Sequence, residues 1–246
     1  MPRRRFYIPR DQIREGSALL SPDQAHHLRA VLRLGDGDEV ELFDGEGGLF
    51  SGRVESQGTN IRISALARLE TSGKPSPEIH LAAALIKSDR FEWMLQKGTE
   101  LGVARFIPLE TRFASRRIPP ARLEGRVQRW RRIVREASKQ SRRLTIPHVQ
   151  APATFEALLA VKEYSDWSRI MLYEQASGRL QAGSGLTDRV LLCIGPEGGW
   201  DTGEADAAAR AGFRLVTLGP GILRTETACL AAVAICRFLL DDPQIR

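Results

Sequence analysis

Polar and apolar residues alternate along Glu39-Val40-Glu41-Leu42-Phe43, give way to Asp44-Gly45-Glu46-Gly47-Gly48, and return along Leu49-Phe50-Ser51-Gly52-Arg53-Val54. A period of two on both sides of turn-forming residues predicts a β-hairpin. Another strand is predicted at Ile61-Arg62-Ile63-Ser64-Ala65. Ahead of the hairpin, Ser21 offers a helix N-cap, Pro22 the first helical position and Gln24 the reciprocal capping side chain, before Ala25, Leu28, Val31 and Leu32. That is the signature of one short helix. Together these elements predict a small β-barrel-like domain.

The pattern changes beyond Thr71-Ser72-Gly73-Lys74-Pro75-Ser76-Pro77, a linker by composition. Strands are predicted at 79–86, 105–109, 146–149, 169–173, 190–194 and 214–218. Helices are predicted between them at 89–101, stopped by Gly102, and at 122–141, 154–161, 203–211 and 225–240. This alternation argues a mostly parallel sheet covered by helices. The chain is expected to divide into a β-rich domain over 1–72 and an α/β domain over 73–246.

Two helices stand apart. In the segment 122–141, Leu123, Val127, Trp130, Val134 and Ala137 recur at spacings of four and three, which turns most of the arginines outward and makes Trp130 a core residue rather than a base-stacking platform. In the last helix, Ala228 to Cys236 is apolar on every face. It must be covered on more than one side, by its own subunit or by a second copy of the chain.

Charge sharpens the first of these. Between Arg112 and Arg143 twelve Lys or Arg (Arg116 among them) face two acids, a local charge of +10 in a chain whose total is +6. A merely solvated helix interleaves acids at i,i+4, and here only Glu136 does so. Such a basic face predicts a polyanionic partner, nucleic acid first. A 42% hydrophobic and 27% charged chain excludes general disorder. The longest apolar stretch, Ala228 to Leu240, contains Arg237 and falls short of the ~18 residues of a membrane span. The basic start of the chain has no apolar run behind it, so a cytoplasmic protein is expected. Cys193, Cys229 and Cys236 show no Cys-x-x-Cys spacing and are expected as buried thiols. With His26, His27, His80 and His148 they form no metal-ligand pattern, and no metal is expected.

The candidate chemistry lies in two loops. Val190 to Cys193 runs into Ile194-Gly195-Pro196-Glu197-Gly198-Gly199-Trp200, and Leu215 to Leu218 into Gly219-Pro220-Gly221-Ile222-Leu223-Arg224-Thr225-Glu226-Thr227-Ala228. Both are strand, glycine turn and helix start, on two strands expected to be adjacent, where backbone can approach a ligand closely beyond the carboxyl end of a sheet. Neither the dinucleotide fingerprint nor a Walker lysine is present, which argues against a nicotinamide-dependent enzyme. Glu197 in the first loop repels phosphate, so the predicted ligand lacks phosphate and has room for a positive charge. Thr225 or Thr227, taken singly, reads as an ordinary helix cap.

These two loops, with Gln96-Lys97-Gly98-Thr99-Glu100-Leu101-Gly102, Glu136-Ala137-Ser138-Lys139-Gln140-Ser141-Arg142-Arg143 and the early Arg5-Phe6-Tyr7, resemble the RsmE family of ribosomal RNA uridine-N3 methyltransferases in the SPOUT trefoil-knot superfamily. The resemblance spans nearly the whole chain. It implies a PUA-like N-terminal β-barrel, a knotted α/β domain with a mostly parallel sheet, a homodimer through the C-terminal domain, S-adenosylmethionine as cofactor, and 16S ribosomal RNA or the small ribosomal subunit as partner. The cofactor positions map to Leu172, Ile194, Gly195, Pro196, Glu197, Gly198, Gly199, Leu218, Gly219, Ile222, Leu223, Thr227 and Ala228.

For N3 methylation a proton must leave the uracil nitrogen, and Glu226 is the candidate base with Arg224 the candidate stabiliser of the anion, unless the two are merely structural partners of each other. RNA contacts are expected from Arg3, Arg4, Arg5, Tyr7, Arg10, Arg129, Arg132, Lys139, Gln140, Arg142 and Arg143, with Tyr7 open to a core role instead. Two alternatives remain at this level: a ribose 2′-O-methyltransferase of the same superfamily, and a non-catalytic RNA-binding assembly factor.

Overall fold

A computed structural model describes residues 4–70, 77–114 and 117–241. Arg3, Arg116 and residues 71–76 of the expected linker lie outside the described residues. The chain divides into two compact units, Met1–Lys74 with Ser138–Ile146, and Pro75–Ala137 with Pro147–Arg246.

The first unit carries β1 (Arg5–Tyr7), β2 (Ile13–Arg14), β3 (Ser17–Leu19), α1 (Pro22–His26), β4 (Glu39–Phe43), β5 (Leu49–Gln57) and β6 (Asn60–Arg68). Its six strands run in the order β1-β4-β5-β6-β3-β2. The predicted hairpin is β4 and β5, paired antiparallel from Phe43↔Leu49 to Glu39↔Arg53. α1 begins with the capping box of Ser21 and Gln24. Phe6 on one edge strand and Ile13 on the other pack against a single core around Leu28, Val40, Leu42, Ile61 and Ile63. In a flat sheet those edges would stand about 24 Å apart, so the sheet must curl into a barrel-like shape. The short strands β1 to β3 escaped the sequence pattern because two or three residues carry no readable period.

Residues 138–146 join this unit by backbone hydrogen bonds from Ile146 N to the Gly45 carbonyl (2.9 Å) and from Gly47 N to the Leu144 carbonyl (3.1 Å). The hairpin turn they meet is braced by Asp44, whose Oδ1 accepts from the amides of Glu46 and Gly48 at 2.8 Å each. Its Oδ2 accepts from Arg10 at 2.8 Å. Burial pushes the Asp44 carboxyl up, but those two amides and Arg10 outweigh it and hold it below the usual carboxylate range.

The second unit contains β7 (Glu78–Ala84), α2 (Ser88–Glu100), β8 (Arg105–Glu110), α3 (Pro120–Gln140), β9 (His148–Val149), β10 (Ala153–Thr154), α4 (Phe155–Leu159), β11 (Ser168–Leu172), β12 (Arg189–Ile194), α5 (Thr202–Arg210), β13 (Arg214–Val216) and α6 (Thr225–Asp241). The sheet order is β10-β8-β7-β12-β11-β13, with β9 also on β8, and every pairing is parallel. β7 and β12 are buried almost end to end, as a parallel sheet covered on both faces requires. A core built on Phe155, Trp167, Met171, Leu191, Trp200 and Phe213 fills one face. α6 packs against β7, β12 and α2.

One expectation needs correcting. The strands leading into the two glycine turns follow each other in the chain, but in the sheet β11 lies between β12 and β13. Sequence order says nothing about strand order when the connections are crossovers. The last strand is also shorter than expected, ending at Val216, because the Thr217 amide leaves β11 and donates to the Gly178 carbonyl at 2.8 Å.

Candidate functional site

β11, β12 and β13 end in register. Leu172, the last residue of β11, pairs with Ile194 on one side and Val216 on the other. These three residues form part of the wall of a cavity of about 110 Å³ at the carboxyl edge of the sheet. The chain leaving β11 adds Tyr173 and Glu174, that leaving β12 adds Gly195, Pro196, Gly199 and Trp200, and that leaving β13 adds Thr217, Leu218, Gly221, Ile222 and Leu223. Thr225 and Ala228, in the first turn of α6, complete it.

Two side-chain hydrogen bonds hold these loops together. Trp200 Nε1 donates to the Leu172 carbonyl at 2.9 Å. A Cβ on Gly195 would come within 2.8 Å of that same indole nitrogen, so only glycine fits beneath it. Thr225 Oγ1 donates to the Gly195 carbonyl at 3.0 Å, joining the loop after β12 to the start of α6. Thr225 is therefore a tie between loops. Gly199 turns with φ +75, a left-handed conformation suited to glycine. Beyond it the Asp201–Glu204 capping box anchors the loop to α5.

Of the expected cofactor positions, Leu172, Ile194, Gly195, Pro196, Gly199, Leu218, Ile222, Leu223 and Ala228 line this cavity, whereas Glu197, Gly198, Gly219 and Thr227 do not. Glu197 points instead to Arg90 on α2, Oε1 to Nη1 3.2 Å. The sequence leaves open whether that charge faces the sulfonium, the RNA or a helix terminus, and its near partner is a cation of this chain. A different carboxylate, Glu174, lines the cavity. Sequence reasoning missed Glu174, Trp200 and Thr217, although Trp200 closes the glycine motif and Glu174 stands two residues past a strand end.

Arg224 and Glu226 are not partners of each other. Glu226 is buried, with Oε1 3.7 Å from Arg90 Nε and Oε2 without a hydrogen-bond partner among the described residues. Arg224 is exposed. Arg90 thus stands between two carboxylates, one from each glycine turn.

The expected RNA residues fall into two sets. In the first unit Arg5 donates to Glu41 Oε2 at 2.8 Å and to the Arg142 carbonyl at 3.0 Å, which brings Arg5 to the Lys139–Arg143 segment. Gln140 and Arg142 are exposed there, as is Arg4. Arg10 is engaged by Asp44, and Tyr7 packs on Phe43 with ring centroids 5.4 Å apart. In the second unit Arg129 is held by Glu92 of α2 through two bonds of 2.7 Å, while Arg132 is exposed and without a partner among the described residues. Trp130 is buried against Phe91, as its place in the apolar stripe predicts.

Among the described residues no group of His, Cys, Asp and Glu is placed to hold a metal ion, and no helix is long and apolar enough to cross a membrane. All three cysteines are free and buried, as expected. Burial raises the Cys193 and Cys229 thiols far above the usual range and pushes Cys236 up to about 12.

Residues 74–237 match the RNA methyltransferase domain family, and residues 20–64 the RNA methyltransferase PUA domain. The chain belongs to the RsmE family of RNA methyltransferases. The ribosomal RNA small subunit methyltransferase E of Synechocystis sp. is 34% identical over 97% of this chain and 78% of its own. That of Bacillus subtilis is 30% identical over 94% of both chains. The crystal structure of the Neisseria gonorrhoeae member bound to S-adenosyl methionine superimposes with a TM-score of 0.84 at 31% identity, covering 96% of this chain and 98% of the other. The SPOUT α/β domain and the PUA-like domain implied by the resemblance are thus the fold of an RsmE protein.

Proposed function

We propose that the protein transfers a methyl group from S-adenosylmethionine to N3 of a specific uridine in 16S ribosomal RNA. The observation that carries this reading is the cavity at the in-register ends of β11, β12 and β13, walled largely by backbone and apolar side chains, with Glu174 as its one charged group. A wall with a carboxylate and no basic side chain suits a cation without phosphate, which a sulfonium cofactor is. The cavity is smaller than the ~300 to 1,000 Å³ of most ligand sites. A ligand of that size would extend over Ile222 and Leu223, whose side chains stand exposed at its edge, Ile222 by 89%. The same positions are those that the family resemblance assigns to the cofactor.

The cofactor supplies an electrophilic methyl group. The protein's own part is to orient it, exclude water and manage one proton. Glu226 is the candidate base, because its Oε2 is buried with no donor spent on it. Arg224, exposed beside it and without a partner among the described residues, is the candidate counter-charge for the uracil anion. The substrate would be 16S RNA or the small subunit, which implies a cytoplasmic protein.

A homodimer through α6 is proposed as well, since Thr227, Ala234 and Phe238 leave one stripe of that helix exposed, Phe238 by 69%.

The test combines calorimetry with S-adenosylmethionine and mapping of methylated positions in ribosomal RNA from cells with and without the protein. Cofactor binding and one N3-methyluridine that disappears are expected. A missing ribose methyl in its place would move the protein to 2′-O transfer, and unaltered RNA would leave only an assembly role. Glu226→Gln should retain cofactor binding and lose methyl transfer. Unchanged transfer removes Glu226 from the mechanism.

A further inference from the structure

A second cavity, of about 400 Å³, opens at the same carboxyl edge of the sheet, where the chain leaves β7. β7 is hydrogen-bonded to β12, with Ala83 opposite Ile194, so the exits toward the two cavities start side by side. The two share no wall residue. Between their loops stands Arg90, reaching Glu197 and Glu226.

The second cavity has the reverse character of the first. Leu85, Ile86, Phe91 and Trp130, all buried, give it an apolar lining, and Trp130 Nε1 has no acceptor among the described residues. Lys87, Arg117, Arg122 and Arg126 stand around it, and no carboxylate is among its walls. Lys87 and Arg126 are partly answered by Asp89 at 3.8 Å and Glu92 at 3.3 Å. Arg117 and Arg122 are exposed with no partner among the described residues. At the same place α2 begins without a side-chain cap from Lys87, which leaves the amides of its first turn without a capping acceptor among the described residues.

An apolar slot that takes a planar group, ringed by cations and free amides that take an anion, is the recognition chemistry of one unstacked nucleotide. We propose that this cavity binds a single splayed nucleotide of the RNA substrate that neighbours the one being methylated, its base on the apolar lining and its phosphate on Arg117 and Arg122. Its separation from the first cavity by the Arg90 cluster is what assigns it a flanking nucleotide. The proposal rests on the RNA methyltransferase reading for the identity of that RNA, though not for the binding itself.

The test titrates the full chain with uridine 5′-monophosphate, uridine and inorganic phosphate in separate arms, following the assigned Trp130 indole N–H and Ile86 methyl resonances. Uridine 5′-monophosphate should shift both saturably, with uridine about tenfold weaker for want of the charge-assisted bonds. Arg117→Ala with Arg122→Ala should weaken the nucleotide about tenfold and leave the affinity for S-adenosylmethionine, by calorimetry, unchanged. The proposal is overturned if neither resonance moves, if phosphate alone reproduces both shifts, or if the double variant titrates like the parent. Absent cofactor binding in the parent protein would remove the methyl-transfer reading while the nucleotide titration still decides this site.

Discussion

At the scale of single residues, His80 shows how burial decides a charge state. Its ring is fully buried on β7, with Nε2 2.9 Å from Glu78 Oε1 and Nδ1 3.0 Å from the Tyr164 hydroxyl. The contact with Glu78 would be an ion pair only if the ring were protonated, but desolvation, helped by Arg105, lowers its pKa from 6.5 to about 4. The ring is neutral, with Nε2–H donating to Glu78 and Nδ1 accepting from Tyr164, whose proton burial retains. Because the folded pKa lies below the unfolded one, the unfolded chain binds more protons between them. The contribution is full above pH 6.5 and is lost as pH falls toward about 4, at most about 3 kcal/mol. Denaturant unfolding across that window should show the slope, and His80→Gln should flatten it. The glycines divide as sharply. Gly195→Ala forces a methyl into the Trp200 indole and should cost about 1–3 kcal/mol together with cofactor affinity. Gly221→Ala, in the same cavity but with nothing within 4 Å of the new atom, should leave the melting temperature unchanged.

At the scale of elements, the pairing of α2 with α3 changes what the basic helix offers. Counted along its own sequence α3 has almost no acids, but Glu92 of α2 reaches across to Arg126 and Arg129, with Arg129 the leading cause of its lowered carboxyl pKa. No periodicity in either segment reveals a bond between them. Arg132 is therefore the stronger candidate for an RNA contact of the two, since Arg129 is already held by Glu92. If binding follows phosphate neutralisation, Arg132→Ala should reduce the slope of log affinity against log salt by about one. Arg129→Ala should reduce it less, and Glu92→Gln should steepen it. A salt-independent affinity would remove the electrostatic account altogether. The glycine loops were legible because each is one contiguous run bounded by an apolar strand. Which way Glu197 faces was not, since that depends on Arg90, more than a hundred positions earlier in the chain.

At the scale of the whole molecule, hydrophobic patterning located nearly every long element, and α3 and α6 fell within a few residues of their predicted ends. It could not supply the strand order that puts Leu172 between Ile194 and Val216, because crossover connections leave no local trace. The apolar last helix is the same kind of ambiguity: its buried side, with Cys229, Val233 and Cys236, answers to this chain, while Phe238 stays exposed among the described residues. If the proposed homodimer forms through this stripe, Phe238→Asp should convert it to a monomer in sedimentation without lowering the unfolding temperature of the monomer, and a parent protein that already sediments as a monomer would remove the dimer proposal. The three cysteines all lie in the second unit, two of them on that helix, sealed from solvent and held as thiols. On α6, a thiol that neither ionises nor meets reagent can be alkylated only while the sheet and α6 are apart, which applies to Cys229 and Cys236. Labelling kinetics would then count openings of this unit directly, and a bound cofactor at the foot of α6 should slow the count in proportion to its occupancy.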